Sequence, residues 1–295
     1  MAAPSTRSTS PKGTPVQHSL LRRRPSVIPG FGVTLGLTLF WLALIVLVPL
    51  AGLAIKSAEL TPTQIYNILT SRRVAHALGL SFGLSALAAV INLIFGTILA
   101  WVLVRYRFWG RGIADALVDI PFALPTAVAG IALTDLYGPN GLLGSALGQI
   151  GIKVAFTPLG ILIALIFIGL PFVVRTVQPV LMELSAEVEE AAATLGASRW
   201  QVIRRVIAPT IIPALLTGAA LSFARGVGEY GSVIFIAGNL PNVSEIAPLL
   251  IVIKLEEFKY ADATAIALAM LIAAFLLLLP INWLQRWSDR RTRRA

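Results

Sequence analysis

Few charged residues interrupt the apolar runs of this chain, and two of them stand four apart. Arg225 and Glu229 lie in Ser222-Phe223-Ala224-Arg225-Gly226-Val227-Gly228-Glu229-Tyr230-Gly231. On a helix that spacing places both on one face. Ionisable groups in a membrane helix are costly, and they turn toward a bundle interior or an aqueous path. The pair has two readings. It neutralises itself and fixes packing, or it gates the path of an anion, with Ser222 alongside, Arg225 as the attractor and Glu229 as its restraint. Gly226, Gly228 and Gly231 would let the backbone loosen or another helix approach closely. One arrangement could serve both purposes, so both readings stay open.

The second polar feature is longer. Glu187-Val188-Glu189-Glu190-Ala191-Ala192-Ala193-Thr194-Leu195-Gly196-Ala197-Ser198-Arg199-Trp200 runs on to Pro209 between two apolar blocks. It predicts a short acidic helix from Glu187 to Thr194, a stop at Gly196, a second short helix, and Pro209 at the entry to the next span. Glycine suits a helix end because it takes the left-handed conformation at little steric cost. Ala191, Ala192 and Ala193 favour helix, and they leave a surface of little bulk that a partner can approach. Glu183, Glu187, Glu189 and Glu190 crowd one segment without the spacing of a calcium loop. They read as a solvated or partner-facing helix.

Catalytic chemistry is missing. The chain has no cysteine, and its two histidines, His18 and His76, sit in unrelated segments. A thiol nucleophile or a histidine metal site is therefore not expected. No G-x-x-x-x-G-K-[ST] occurs, so the chain has no phosphate loop of its own. Gly138, Gly141, Gly144, Gly148 and Gly151 lack a following Lys-Ser/Thr and read as a turn-rich connection. The expectation is no catalytic residue, no metal and no cofactor bound by this chain.

The elements that must position these groups are membrane helices. Of 295 residues, 57% are hydrophobic and 13% charged, with a mean hydropathy of +0.83. Soluble domains carry about 25% charged residues. Six apolar runs are expected to span: Val27–Ile55, Leu78–Val104, Ile113–Tyr137, Leu159–Val180, Thr210–Ala237 and Ala263–Trp287. The first is too long for the apolar core of a secretory signal and long enough to cross a bilayer. Pro121, Pro125, Pro171, Pro213 and Pro280 predict kinked helices packed in a bundle. Residues 1–26, rich in Ser, Thr, Pro, Lys and Arg, read as a disordered arm. Residues 27–288 form the membrane domain, with a polar loop at about 181–209, and 289–295 a basic tail.

Charge sets the orientation. With both termini in the cytoplasm, most of the 24 Lys and Arg fall inside. Only Lys56, Arg72, Arg73, Lys153, Lys254 and Lys259 fall outside. That satisfies the positive-inside rule, and it accounts for the net charge of +10 without nucleic acid as a partner. Trp101, Trp109, Trp283 and Trp287 sit near cytoplasmic ends, as interfacial aromatics do. The polar stretch at 187–209 then faces the cytoplasm, and so does any partner that reads it.

Glu190-Ala191-Ala192, three residues and then Gly196 resembles the EAA loop of ABC importer permeases. In that loop nine residues follow, then a pattern like Ile-x-Leu-Pro. Here Val206-Ile207-Ala208-Pro209 stand at those positions, with Ala208 a weaker anchor than the usual leucine. The stretch Phe223-Ala224-Arg225 through Gly228-Glu229-Tyr230-Gly231, with Ile236-Ala237-Gly238-Asn239, is similar to the oxyanion branch of these permeases. Ser244-Glu245-Ile246-Ala247-Pro248 and Pro171-Phe172-Val173-Val174-Arg175 look most like its T-type sulfate/thiosulfate permeases. The resemblance covers about residues 30–288.

The resemblance implies an all-α membrane protein with six transmembrane helices in a type I ABC importer bundle, in the inner membrane of a bacterium. It implies two copies of a cytoplasmic ATPase that uses ATP and docks on Glu187, Glu190, Ala191, Ala192, Gly196, Arg199 and Pro209. It also implies a second, related permease subunit and an extracytoplasmic sulfate-binding protein. A molybdate or tungstate permease is the alternative within the class. An ion-coupled secondary carrier is the alternative outside it, and the lack of internal repeats and of further intramembrane acids speaks against it.

Overall fold

The structure is a computed structural model that describes residues 31–292. The expected arm at 1–26, residues 27–30 of the first expected span and 293–295 of the basic tail lie outside the described residues. Regular structure in the described residues is helical throughout. In chain order the helices are α1 (Phe31–Leu42), α2 (Val48–Ser57), α3 (Pro62–Thr70), α4 (Arg72–Arg105), α5 (Arg111–Val118), α6 (Ile120–Ala123), α7 (Thr126–Tyr137), α8 (Leu142–Gln149), α9 (Pro158–Glu183), α10 (Ala186–Thr194), α11 (Arg199–Val202), α12 (Ala208–Val227), α13 (Val233–Ile236), α14 (Ala247–Glu256) and α15 (Tyr260–Thr292). Contacts divide the chain into two units, Met1–Leu50 and Ala51–Ala295.

Among the described residues, five continuous helical stretches are long and apolar enough to cross a membrane: Phe31–Ser57, Arg72–Arg105, Pro158–Glu183, Arg199–Val227 and Tyr260–Pro280. Two of them contain one π turn each, Ala43–Leu47 and Ile203–Ile207. Both turns have the same cause. Pro49 and Pro209 carry no N–H and would clash with the carbonyl four residues back. The wider turn absorbs this, with the Val48 N–H bonded to the Ala43 carbonyl and the Ala208 N–H to the Ile203 carbonyl. In the first unit every residue of α1 is exposed. A helix apolar all round suits lipid rather than water.

The second unit is built on α9. Its neighbours α4 and α12 pack on it and on each other. Because lipid is as apolar as leucine, close packing holds such helices together, and small residues permit it. Val173 on α9 has 0% exposure and sits between two glycines. A Cβ at Gly96 on α4 would lie 3.1 Å from the Val173 Cβ, and one at Gly218 on α12 would lie 2.9 Å from its Cα. Ala100, Leu103, Val174, Val177, Ile207 and Ile211 extend this core toward α10.

Four expectations change. The third span, expected over 113–137, is instead α5, α6 and α7. Leu124 is extended (φ −83°, ψ 135°), because the residue before a proline is pushed out of the helical region, and Pro125 follows. The 12 residues of α7 reach about 18 Å, against about 30 Å of hydrocarbon. The fifth span, expected to reach Ala237, stops at Val227, with Gly228 closing α12. The chain turns there and buries α13 against α7 and α9. The close approach to α7 needs Gly130, whose Cβ would lie 2.7 Å from the Ser232 Cα. The second short helix after Gly196 is not separate. It runs through the π turn into α12. Part of the glycine-rich connection is helical, as α8.

Candidate functional site

The 186–209 stretch folds as a helix, a tight corner and the start of a span. Ser185 precedes α10, and Glu187 and Glu189 occupy its first turn. There they complement the positive end of the helix dipole. Gly196 takes φ +83°, and no atom lies within 4 Å of where its Cβ would be. Its requirement is therefore backbone conformation, with open space outside. Ser198 then caps α11, its hydroxyl accepting from the Gln201 N–H while the Gln201 side chain accepts from the Ser198 N–H.

One face of this corner is held and the other is free. Ala192 and Ala197 pack on the core that contains Val202 and Ile207. Glu187, Glu190, Ala191, Gly196, Arg199 and Pro209 are exposed. Leu195 is 88% exposed and Trp200 68%. Bare alanine and glycine thus lie beside protruding leucine and tryptophan on one exposed face.

Of the second predicted group, the structure brings Arg225 and Glu229 together and leaves Ser222 apart. Arg225 and Glu229 make an ion pair, but Glu229 lies beyond the end of α12, so the two do not share a regular helix face. The Glu229 side chain is 1% exposed and that of Arg225 34%. The Ser232 N–H and hydroxyl both donate to Glu229 Oε1, at 2.9 Å each. Glu229 thus pins the turn into α13, while Arg225 keeps one side open. Ser222 is buried between helices instead of beside the pair. Its hydroxyl meets Asn92 Nδ2 on α4 at 3.2 Å, and Asn92 Oδ1 is buried without a partner.

Three charged contacts escaped sequence reasoning. Arg175 on α9 donates to Asp119 Oδ1 and Oδ2 at 2.8 and 2.6 Å, to Asp115 Oδ1 at 2.8 Å, to the Asp115 carbonyl at 2.9 Å, and to Gln178 Oε1 at 2.6 Å. Hydrogen bonding from Gln178, with Arg175 behind it, holds the Asp115 carboxyl below its ordinary value. This network joins α9 to α5. Arg73, at the start of α4, grips Glu245 in the approach to α14. Arg105, at the end of α4, pairs with Glu189 on α10. The spacings Asp115/Asp119 and Arg175/Gln178 fit helix faces, yet no spacing announces which face meets which.

Residues 92–294 match the family model for the binding-protein-dependent transport system inner membrane component. The chain belongs to this family. It is a multi-pass inner membrane protein, and all three of its helical core elements α4, α9 and α12 fall in or overlap the matched region. Over 265 residues it is 48% identical to the Sulfate transport system permease protein CysT of Escherichia coli (strain K12), covering 90% of this chain and 96% of that one. It is likewise 48% identical over 253 residues to the protein of the same name in Synechococcus elongatus, covering 86% and 91%. In fold it is similar to a bacterial ABC transporter involved in the import of the acidic polysaccharide alginate, with a TM-score of 0.71, 18% identity, and coverage of 86% of this chain and 94% of that one.

Membership in an inner membrane transport family gives the two predicted sites a common frame. The 186–209 corner lies at one end of the bundle. Ser222, Arg225 and Glu229 lie along and beyond α12, which begins where that corner ends.

Proposed function

We propose that the chain is the membrane-spanning permease subunit of an ATP-driven importer of sulfate and thiosulfate. The observation that carries this reading is the 48% identity, over nearly the whole of both chains, to a sulfate transport system permease protein. The exposed surface at α10 and Gly196 supports the coupling half of the reading. A chain without a phosphate loop must borrow ATP hydrolysis, and this corner offers exposed Leu195 and Trp200 to the subunit that supplies it.

In this reading both termini and α10 face the cytoplasm. Two copies of an ATPase subunit dock on Glu187, Glu190, Ala191, Ala192, Gly196, Arg199 and Pro209 and on the equivalent loop of a second, related permease chain. A sulfate-binding protein delivers the anion from the other side. ATPase closure moves α10, and the helices joined to it move as rigid bodies. Arg225 is the cation that the dianion meets beside the end of α12, and Glu229 holds Arg225 when no anion is there. Ser222 steadies α12 against α4 through Asn92.

Uptake tests it. Cells lacking their own sulfate permeases and supplied with this chain and its partner subunits should accumulate labelled sulfate. Excess thiosulfate should compete. Accumulation of labelled molybdate but not sulfate would overturn the assignment.

A further inference from the structure

We propose that Arg105 is the positioning residue that joins α10 to α4, acting through Glu189. The inference rests on the reading of α10 as the ATPase-coupling helix and adds the joint by which its movement enters the bundle.

Arg105 is the last residue of α4. Its Nη2 donates to Glu189 Oε1 and lies 3.4 Å from the carbonyl of Leu184. Its guanidinium lies 5.4 Å from the centre of the Trp101 ring, one helical turn back, a cation–π distance. Leu184 closes α9, and Ser185 opens α10 with no side-chain cap of its own. One guanidinium therefore touches both the hinge between α9 and α10 and the first turn of α10. The two side chains are 20% and 28% exposed, so water screens them little compared with a surface pair. Of Glu183, Glu187, Glu189 and Glu190, only Glu189 forms an ion pair among the described residues. Glu187 and Glu190 stay on the outer face, free for a partner.

What Arg105 holds α10 to is a rod. α4 runs 34 residues without a break, packs on α9 and α12, and carries at its opposite, N-terminal end Arg73, bonded to Glu245. From Arg73 to Arg105 is about 48 Å at 1.5 Å per residue. A displacement of α10 is thus handed to a rigid element that reaches the far end of the bundle. Without the pair, α10 keeps its chain link at Leu184 and Ser185 and the packing of Ala192 on the core, but loses its charged tie to α4.

A charge exchange tests the joint in the purified complex of this chain with its second permease chain and ATPase. The variants are Glu189→Arg, Arg105→Glu and the two together. One readout is sulfate uptake into proteoliposomes. The other is amide exchange of residues 186–194 without nucleotide or sulfate. Each single variant should lower uptake about tenfold and speed exchange, and the double should recover both to within about threefold, the sign of a direct coupling. Single variants that match the parent in both readouts, or a double no better than the worse single, would overturn the proposal. Should the reversals prevent assembly, Glu189→Gln and Arg105→Lys carry the comparison, and parental uptake in both would also overturn it. A parent that moves no sulfate, with the exchange pattern as expected, would sink the sulfate reading and leave the joint standing.

Discussion

Arg73 and Glu245 stand 172 residues apart in sequence and meet through two hydrogen bonds of 2.7 Å, Nε to Oε2 and Nη2 to Oε1. The carboxylate is 1% exposed and the guanidinium 35%. Such a fork fixes geometry as well as charge. Close by, the Ala247 N–H donates to Ser81 Oγ at 2.8 Å, so the approach to α14 is pinned twice to α4.

Removing the cation strands a buried anion. Arg73→Ala should therefore destabilise the complex by about 3 kcal/mol, the low end for breaking a buried pair, since the arginine is partly in water. Arg73→Lys keeps charge but not the fork and should lose about 1 kcal/mol. Thermal unfolding in detergent measures both. A smaller loss for Ala than for Lys would contradict the packing described.

Gly196 should respond to backbone preference. Because its φ is +83° and the space outside is open, Gly196→Asn should fold with little loss. Gly196→Val should lose about 1–2 kcal/mol at the corner. Gly196→Asp should leave membrane insertion intact and abolish ATPase docking, because it adds bulk and charge to the free face. Co-purification of the ATPase subunit checks the series, and unchanged docking in Gly196→Asp would remove this corner from the partner surface.

The two partners of the Arg225–Glu229 ion pair differ in role. Glu229→Gln keeps an oxygen for the two Ser232 donors and frees Arg225, so the fold should survive and anion uptake should change. Arg225→Ala should cut sulfate uptake about tenfold or more while the complex still purifies, as loss of a charged contact in a low-dielectric site does. A complex that falls apart instead would mark the pair as packing.

Gly169 sits where α4, α9 and α12 meet, and a Cβ there would lie 2.5 Å from Asn92 Nδ2 and would strike Ser222 Oγ. Gly169→Ala should lower stability by about 1–3 kcal/mol, the usual cost of overpacking. Combining it with Ser222→Gly should recover part of that loss. No recovery in thermal unfolding would contradict the contact.

Much of this was legible from residues alone. Long apolar runs announce α4, α9 and α15, since their hydropathy stays high enough to cross a membrane despite the prolines within α9 and α15. Gly196 marks its corner because left-handed backbone is a local requirement. Pro125 marks a break that reads from sequence as a kink, because its severity depends on what packs against the freed backbone. The end of α12 was hidden for the same reason: Gly228 alone is a weak stop, and the buried turn beyond it exists through Gly130 and Ser232. Arg105–Glu189, Arg175–Asp119 and Arg73–Glu245 join segments 56 to 172 residues apart. Pairings at that range follow from the packing of the bundle, which one sequence does not contain.

In the proposed function this chain passes sulfate under the drive of a partner ATPase. The most direct measurement is ATP hydrolysis by the reconstituted complex, with its binding protein added empty, loaded with sulfate, or loaded with molybdate. Stimulation by the sulfate-loaded protein over the empty one, lost with Gly196→Asp, is the predicted result. Stimulation by molybdate alone, or a rate indifferent to the binding protein, would contradict it.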